Sequence, residues 1–419
     1  MPSEDRSTAM TMATRTGSAR LTTRAAAEAY VGGVCFKLGP PRLIGAELEW
    51  LTAARDGARP RPTDFAAALG PHAPTSIVAD SPARALPGGS VVTLEPGGQI
   101  ELSSAPMSSA EELCAALASD STRLEHLLAG AGIAMRSGAA DPDRIADRIL
   151  PAPRYRAMQH RFDRIGPFGR LMMCNTTATQ ISVDAGADAA EVSARWRALY
   201  AIGPALLAAF ACSPRLRGVP GGRWASQRMR TWFELDPGRT DPPRLSDPIR
   251  DYASWAVDAP LLCVRGGCGD SADDWSVPGD ARFSDWVAGE LDSVIGRSPN
   301  VSDLNYHLTT LFPPVRAAGH FEVRYLDAQP GDGWRIPVAA LSALVGDPVT
   351  VEEATAIAAP TADRWRCAAE LGLIEPELRT AAVDLLELAA SRSATFAPDL
   401  AAAAERCRRG RTVTGVSAP

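Results

Sequence analysis

Four short segments of this 419-residue chain alternate between apolar residues and acidic or amide residues. In SVVTLEPGGQIELSSAP, a strand would direct Gln99, Glu101 and Ser103 to one face. It would direct Ile100 and Leu102 to the opposite face. The same alternation occurs in LIGAELEWL, TQISVDA and FEVRYLD. Because a period of two is typical of half-buried strands, the segments predict one antiparallel or mixed sheet with an apolar back and a polar front.

The predicted front face collects five glutamates. They are Glu47, Glu49, Glu95, Glu101 and Glu322. The Pro-Gly-Gly turn at residues 96–98 would fold Glu95 back toward Glu101. Carboxylates held this close repel one another unless cations lie between them. Hard oxygen ligands favour Mg2+ or Mn2+, and protein-bound Mg2+ commonly completes its shell with water and nucleotide phosphates.

Each glutamate could also be a solvated charge on an exposed sheet face, but five on one face favour a functional site. Arg324 follows Glu322 by two residues and adds a cation to the same face. A phosphate oxygen shared between a metal and a guanidinium group is stabilised during phosphoryl transfer. The chain has no GxxxxGK[ST] loop and no kinase-type GxGxxG. His307 could act as a base, or it could be a packed structural residue.

The bulk properties exclude other classes of protein. A net charge of -6 argues against nucleic acid as the main partner. No apolar run approaches the roughly 20 residues of a membrane-spanning helix, so no membrane association is expected. Residues 1–20 predict a disordered leader without the apolar centre of a secretory signal. The eight cysteines are scattered, as in a cytoplasmic protein with free thiols.

The rest of the chain predicts helices packed on the sheet, which gives an α+β fold. A long helix is expected over Asp188–Ala211, a strand over PLLCVRG, and a surface or site-covering loop between Ser213 and Asp247. From Arg335 onward the chain is Ala- and Leu-rich and predicts only helices. We therefore expect a catalytic domain at residues 21–330 and a helical subdomain at 331–419.

Seven segments, taken in order, resemble the plant-type glutamate-cysteine ligases. They are IGAELEW, LEPGGQIELSSAP, MMCNTTATQISVD, RTWFELDPGRT, YASWAVDAPLLCVR, NYHLTTLFPPVR and FEVRYLD. Within that family the length and composition resemble the actinobacterial branch that supplies γ-glutamylcysteine for ergothioneine synthesis. The family belongs to the glutamine synthetase superfamily, so the resemblance implies a funnel of antiparallel strands that holds metal ions. The C-terminal third and the Gly/Arg-rich loop depart from the plant pattern.

The resemblance implies two metal sites. Glu49, Glu95 and Glu101 would hold the metal nearer the substrate. Glu47 and Glu322 would hold the metal that orients the ATP phosphates, and Gln180 stands where some relatives use a His. Glu101, Glu322 and Arg324 are the implied catalytic residues.

The resemblance also implies contacts with the organic substrates. Arg228 matches the arginine expected at the amino-acid carboxylate, with Trp232 and Gln99 beside the same substrate. Arg324 would lie against the γ-phosphate. Arg316 and His307 belong to the nucleotide side.

The implied reaction has two steps and uses L-glutamate, L-cysteine and ATP. ATP phosphorylates the γ-carboxylate of glutamate, and the amine of cysteine then displaces phosphate from the acyl phosphate. Three alternatives remain open at this point: another carboxylate-amine ligase, a guanidino-kinase-like phosphotransferase, and a non-catalytic homologue that binds glutamate or nucleotide. A monomer is expected.

Overall fold

The structure is a computed structural model that describes residues 19–39, 42–267 and 274–413. These residues contain one sheet of seven strands. The strands are β1 (Ile44–Ala53), β2 (Val91–Leu94), β3 (Ile100–Ser103), β4 (Ala134–Arg136), β5 (Ala178–Val183), β6 (Val315–Ala317) and β7 (Phe321–Asp327). The strand order is β2-β3-β1-β5-β7-β6, β4 also pairs with β1, and every pairing is antiparallel. The sequence prediction of an antiparallel sheet is confirmed. Most of the predicted leader lies outside the described residues.

Helices precede, connect and follow the strands. They are α1 (Arg24–Cys35), α2 (Pro62–Leu69), α3 (Ala110–Gly130), α4 (Pro153–Ile165), α5 (Phe168–Asn175), α6 (Ala189–Ala201), α7 (Gly203–Phe210), α8 (Gln227–Leu235), α9 (Pro237–Thr240), α10 (Pro248–Asp258), α11 (Phe283–Val287), α12 (Asp292–Ile295), α13 (Val301–Leu308), α14 (Arg335–Leu344), α15 (Pro348–Ala358), α16 (Trp365–Leu371), α17 (Pro376–Arg392) and α18 (Ala397–Arg408). Short 3-10 turns lie between some of them. Among the helices of the described residues, none combines the length and the apolar character that crossing a membrane requires.

The strand register places the polar residues of neighbouring strands side by side. Glu101 of β3 lies opposite Glu49 of β1. Glu47 of β1 lies opposite Gln180 of β5. Glu322 of β7 pairs with Ser182, the residue two positions after Gln180. Because paired residues share a face, the sheet has one polar front, as the alternation predicted.

The back of the sheet packs on helices through buried apolar side chains. Leu48, Ile100, Ile181 and Val323 are at most 2% exposed. They belong to one continuous core that extends from α1 to α18. The helices after residue 331 share this core, since α17 packs against α7 and α16 also contacts α7. The domain boundary at residue 331 stays a prediction.

The single helix predicted over Asp188–Ala211 is wrong. The structure has two helices, α6 and α7, that meet at Ile202. Pro204 lies in the first turn of α7, where its missing N–H does no harm, and it cannot continue α6. A Cβ atom on Gly203 would lie 2.0 Å from the ring of Trp365, so the junction also brings the backbone against α16.

Two other segments differ from the sequence prediction. The stretch expected as a surface loop contains α8 and α9, and Arg228 and Arg239 within it are buried. The segment PLLCVRG forms only an isolated bridge, between Pro260 and Arg282, in place of a regular strand.

Candidate active site

A cavity of about 280 Å3 lies over the polar front of the sheet. Four of the five predicted glutamates line it, namely Glu47, Glu49, Glu95 and Glu101. The fifth, Glu322, is buried behind this wall and binds two arginines that do line the cavity. The structure therefore gathers side chains from β1, β3, β7 and the turn before β3 around one space.

A tight turn brings Glu95 into this wall. The Gly98 N–H donates to the Glu95 carbonyl at 2.9 Å, and the Glu95 N–H donates to the Gln99 carbonyl at 2.9 Å. Gly98 has a φ of 86°, a conformation that glycine adopts without strain. Gly97 packs so closely on α5 that a Cβ atom would lie 2.3 Å from the Cys174 carbonyl oxygen. The two glycines thus fix both the shape of the turn and its position.

Neutral donors hold the carboxylates of the wall. The Gln180 amide donates to Glu47 at 2.9 Å and to Glu49 at 3.0 Å. The hydroxyl groups of Thr93 and Ser103 donate to Glu101 at 2.5 and 3.1 Å. Neutral donors leave the negative charge of the wall in place.

Burial and the closeness of other carboxylates raise the pKa values of these carboxyl groups. Burial raises the pKa of Glu47 to about 8, and the nearby charges of Glu101 and Glu322 add to the effect. Burial, followed by the charge of Glu95, raises the pKa of Glu101 to about 7. The pKa values of Glu49 and Glu95 are also raised, again by burial first and by neighbouring carboxylates second. A cation between these groups would relieve the repulsion.

The donor set fits a hard divalent cation. All four lining glutamates offer oxygen, the ligand that Mg2+ and Mn2+ prefer. The buried Oε1 atoms of Gln99 and Gln180 have no hydrogen-bond partner among the described residues. Within residues 19–39, 42–267 and 274–413, no three acidic, histidine or cysteine side chains are already arranged as a metal-binding group. The chemistry of the wall therefore suits a metal whose shell is completed by substrate or water.

Glu322 anchors two arginines of the cavity. Arg316 donates to one carboxylate oxygen at 2.9 and 2.6 Å, and Arg324 donates to the other oxygen. Burial acts to raise the pKa of Glu322, but the two guanidinium groups hold it at about 2. Both oxygens of Glu322 are thus engaged by cations of the protein itself. Its role as a metal ligand stays a prediction and would require it to share or release an arginine.

Arg228 and Trp232 of α8 also line the cavity. The guanidinium groups of Arg228 and Arg324 lie over the Trp232 ring, 5.6 and 5.2 Å from its centroid. Arg228 also donates to the Arg324 carbonyl at 2.7 Å. Arg324 Nε and Trp232 Nε1 are buried and have no hydrogen-bond partner in the part of the chain that the structure describes. Each of these atoms is therefore a hydrogen-bond donor that the described part of the protein does not use.

Gln99 lies in the wall, but the fold already uses its amide group. It donates to the carbonyl groups of Met173 and Thr176 at 3.3 and 2.9 Å. Only its Oε1 atom remains for a ligand. Contact between Gln99 and the substrate stays a prediction.

The structure does not place His307 at the cavity. Its ring stacks on Phe283 with centroids 5.0 Å apart, and Nε2 lies 2.9 Å from the Ala256 carbonyl oxygen. Burial lowers the pKa of His307 to about 3, so the ring is neutral. A nucleotide-side role for His307 stays a prediction, and its buried, stacked ring matches the alternative of a packed structural residue.

Sequence reasoning missed two residues that line the cavity, Arg154 and Tyr155. Arg154 lines the cavity from α4 and donates to the hydroxyl and the carbonyl of Thr309, each at 2.9 Å. Tyr155 lines the cavity beside it. Thr309 belongs to the HLTT motif that the sequence analysis singled out, two residues after His307. The motif therefore indicated the right segment, but no sequence pattern indicated that Arg154 and Tyr155 would reach the cavity.

The chain is similar to known proteins along most of its length. The model of Glutamate-cysteine ligase family 2 (GCS2) matches residues 43–418. The glutamate-cysteine ligase EgtA of Mycobacterium tuberculosis is 37% identical over 382 residues, which are 90% of this chain and 85% of that protein. A chloroplastic glutamate-cysteine ligase of Medicago truncatula is 31% identical over 250 residues, 58% of this chain and 47% of the plant protein.

A solved structure supports the fold. The crystal structure of a glutamate-cysteine ligase from Francisella tularensis in complex with AMP superposes with a TM-score of 0.52 at 10% identity, and the match covers 91% of this chain and 84% of that one. At this identity the likeness concerns the fold alone. Together with the family match along nearly the whole sequence, it confirms the resemblance seen in the motifs. The chain belongs to glutamate-cysteine ligase family 2.

Proposed function

We propose that this protein is an ATP-dependent glutamate-cysteine ligase. It joins the γ-carboxylate of L-glutamate to the amine of L-cysteine and gives γ-glutamylcysteine, ADP and phosphate. One observation carries the proposal: a single cavity collects four glutamates and four arginines in a chain of this family. The similarity to EgtA favours ergothioneine biosynthesis as the use of the product.

The carboxylate wall would hold the divalent metals. Glu49, Glu95 and Glu101 are the proposed ligands on the substrate side, and Glu47 with Glu322 on the nucleotide side. When bound, the metals supply positive charge to the phosphate groups of ATP. Gln180 keeps Glu47 and Glu49 aimed at the same space through its two hydrogen bonds. Mg2+ is the proposed ion, with Mn2+ as a substitute of the same ligand preference.

The arginines would handle the anionic groups of the substrates. A carboxylate is a poor acyl donor, so the γ-carboxylate must first become an acyl phosphate, whose phosphate group is the leaving group when the amine attacks. Arg324 and Arg316, held by Glu322, face the phosphates, and Arg228 binds a carboxylate of glutamate. Three strand spacings, about 14 Å, separate β3 from β7. Glutamate and the ATP phosphates would therefore bind at different ends of the site. Apolar side chains such as Met158 and Phe312 close the cavity and keep water from the acyl phosphate.

The experiment is an ADP-release assay with MgATP and glutamate, run with each amino acid in turn as acceptor. We expect cysteine to stimulate ADP release most strongly and mass measurement to identify γ-glutamylcysteine. ADP release with another amine in place of cysteine would assign a different carboxylate-amine ligase. No turnover with any acceptor, together with glutamate or nucleotide binding, would identify a non-catalytic homologue.

Several finer features belong to the same proposal. The sheet and its helices would form the funnel of the glutamine synthetase superfamily, with residues 21–330 as the catalytic part and 331–419 as a helical subdomain. The protein would act as a monomer in the cytoplasm, where ATP and free cysteine are present. Size-exclusion chromatography with light scattering tests the monomer.

A further inference from the structure

An irregularity in β7 turns one more acidic residue toward the front of the sheet. Val323 pairs with Ile181 of β5, and Leu326 pairs with Thr179. The pairing therefore advances by three residues on β7 and by two on β5, which is a β-bulge of one extra residue. Strict alternation from Arg324 would put Asp327 at the back. The bulge puts it on the front, paired with Ala178.

Asp327 lies at the centre of a buried hydrogen-bond network. One carboxylate oxygen accepts from the Ser213 hydroxyl at 2.7 Å and from the Cys212 N–H at 2.9 Å. The other oxygen accepts from the Ser226 hydroxyl at 2.8 Å. The Asp327 side chain is about 1% exposed, so this carboxylate is satisfied entirely by the protein.

The network ends on Arg228. The Ser213 hydroxyl oxygen accepts from the Arg228 N–H at 3.2 Å. The Ser226 hydroxyl oxygen caps α8 by accepting from the Met229 N–H at 3.0 Å. The Arg228 guanidinium lies 3.9 Å from Asp327 itself. One carboxylate thus fixes both the backbone at the start of α8 and the charge of the arginine that α8 presents to the cavity.

We propose that Asp327 is the positioning residue for Arg228, and that the bulge in β7 exists to place it there. This inference rests on the proposed function, in which Arg228 binds a carboxylate of glutamate. Arg324 lies on the same strand, three residues before Asp327, and its carbonyl accepts a hydrogen bond from the Arg228 guanidinium. The strand that carries the proposed phosphate-side arginine therefore also sets the distance to the proposed glutamate-side arginine.

Asp327→Asn tests the inference. The amide keeps the size of the side chain but removes the charge, and its nitrogen cannot accept from its donors. We expect the KM for glutamate to rise about tenfold or more, equivalent to about 1.4 kcal/mol, while the KM for ATP stays within about threefold. We also expect discrimination between glutamate and its α-carboxamide analogue to fall, because a displaced Arg228 no longer distinguishes the two. If Asp327 had a purely structural role, its replacement would change neither the KM for glutamate relative to the KM for ATP nor the discrimination against the α-carboxamide analogue.

Asp120→Asn is the matched control. Asp120 is fully buried and accepts from the N–H groups of Gly88 and Ser90 at 2.7 and 2.9 Å, away from the cavity. The Asp120→Asn substitution should lower the unfolding temperature and leave the KM for glutamate and the KM for ATP unchanged. If Asp327→Asn does not fold, Ser213→Ala is the second variant. It keeps the Asp327 carboxylate but removes one of its hydrogen-bond donors and the acceptor of the Arg228 N–H. It should raise the KM for glutamate by about threefold.

Failure of the inference and failure of the proposed function are distinguishable. If the wild-type protein makes no dipeptide, the proposed function fails first. The rise in unfolding temperature that glutamate causes still reports on Arg228 without turnover, and we expect Asp327→Asn to lose it. A folded Asp327→Asn enzyme with an unchanged KM for glutamate, or with equal changes for glutamate and ATP, would overturn the inference.

Discussion

Replacing Glu101 by Gln separates the chemical from the structural role of the acidic wall. Gln keeps the side-chain shape and an oxygen that can accept from Thr93 and Ser103. The substitution removes a carboxyl group whose pKa is raised from 4.5 to about 7, first by burial and then by the charge of Glu95. That difference corresponds to at most about 3 kcal/mol of unfavourable free energy at pH 8, where the wild-type carboxyl is ionised. We therefore expect the metal-free variant to be more stable than wild type and yet inactive.

The assay compares thermal unfolding with and without Mg2+, and dipeptide formation, for both proteins at pH 8. Mg2+ should raise the unfolding temperature of the wild type more than that of the variant. Glu191→Gln is a contrasting control, because Glu191 pairs with Arg195 at 2.7 Å outside the cavity and its loss should destabilise the protein. Retained ligase activity in Glu101→Gln, or a lower metal-free stability, would refute the assignment of this wall as a metal site.

Three further predictions concern the same cavity. Burial raises the folded-state pKa of Glu47 to about 8, so the protonated carboxyl group favours the folded state, and this contribution to stability is lost as the pH rises from about 5 to 8. The unfolding temperature of the metal-free protein should therefore fall over this pH range. Mg2+ should restore more of the unfolding temperature at pH 8 than at pH 5. Arg324→Lys keeps the charge but loses the planar fork, and initial rates should show kcat reduced about 100-fold with little change in the KM for glutamate. Gly97→Ala would force a Cβ atom to 2.3 Å from the Cys174 carbonyl oxygen, and urea unfolding should show a loss of about 1–3 kcal/mol together with a weaker response to Mg2+, as Glu95 shifts.

The regular parts of the sheet could be predicted from the sequence. The period of two in IGAELEW and FEVRYLD is a local property, and both segments form strands with the expected front and back. Their register was not predicted, because a slip of two residues between neighbouring strands keeps the same face buried. The front-facing glutamates were predictable, because burying one face decides the other.

Other features depended on contacts that no local pattern contains. Asp327 lies one residue out of phase with Arg324, because the bulge interrupts the period from which faces are counted. His307 and Thr309 occupy the same motif, and only the packing of α13 decides which of them reaches the cavity. Arg154 stands on a helix whose neighbours were unknown from its sequence. In each case the missing information was the position of one element relative to another.

β1 and β7, two of the strands that carry charged residues of the front, lie far apart in the sequence. Residues 44–53 are synthesised long before residues 321–327, and the two meet only across β5. A nascent chain that ends before residue 321 thus lacks Glu322 and Arg324 of the front. Such a fragment would retain the hairpin of β2 and β3 with Glu101, but it would lack the strand on which Arg324 stands.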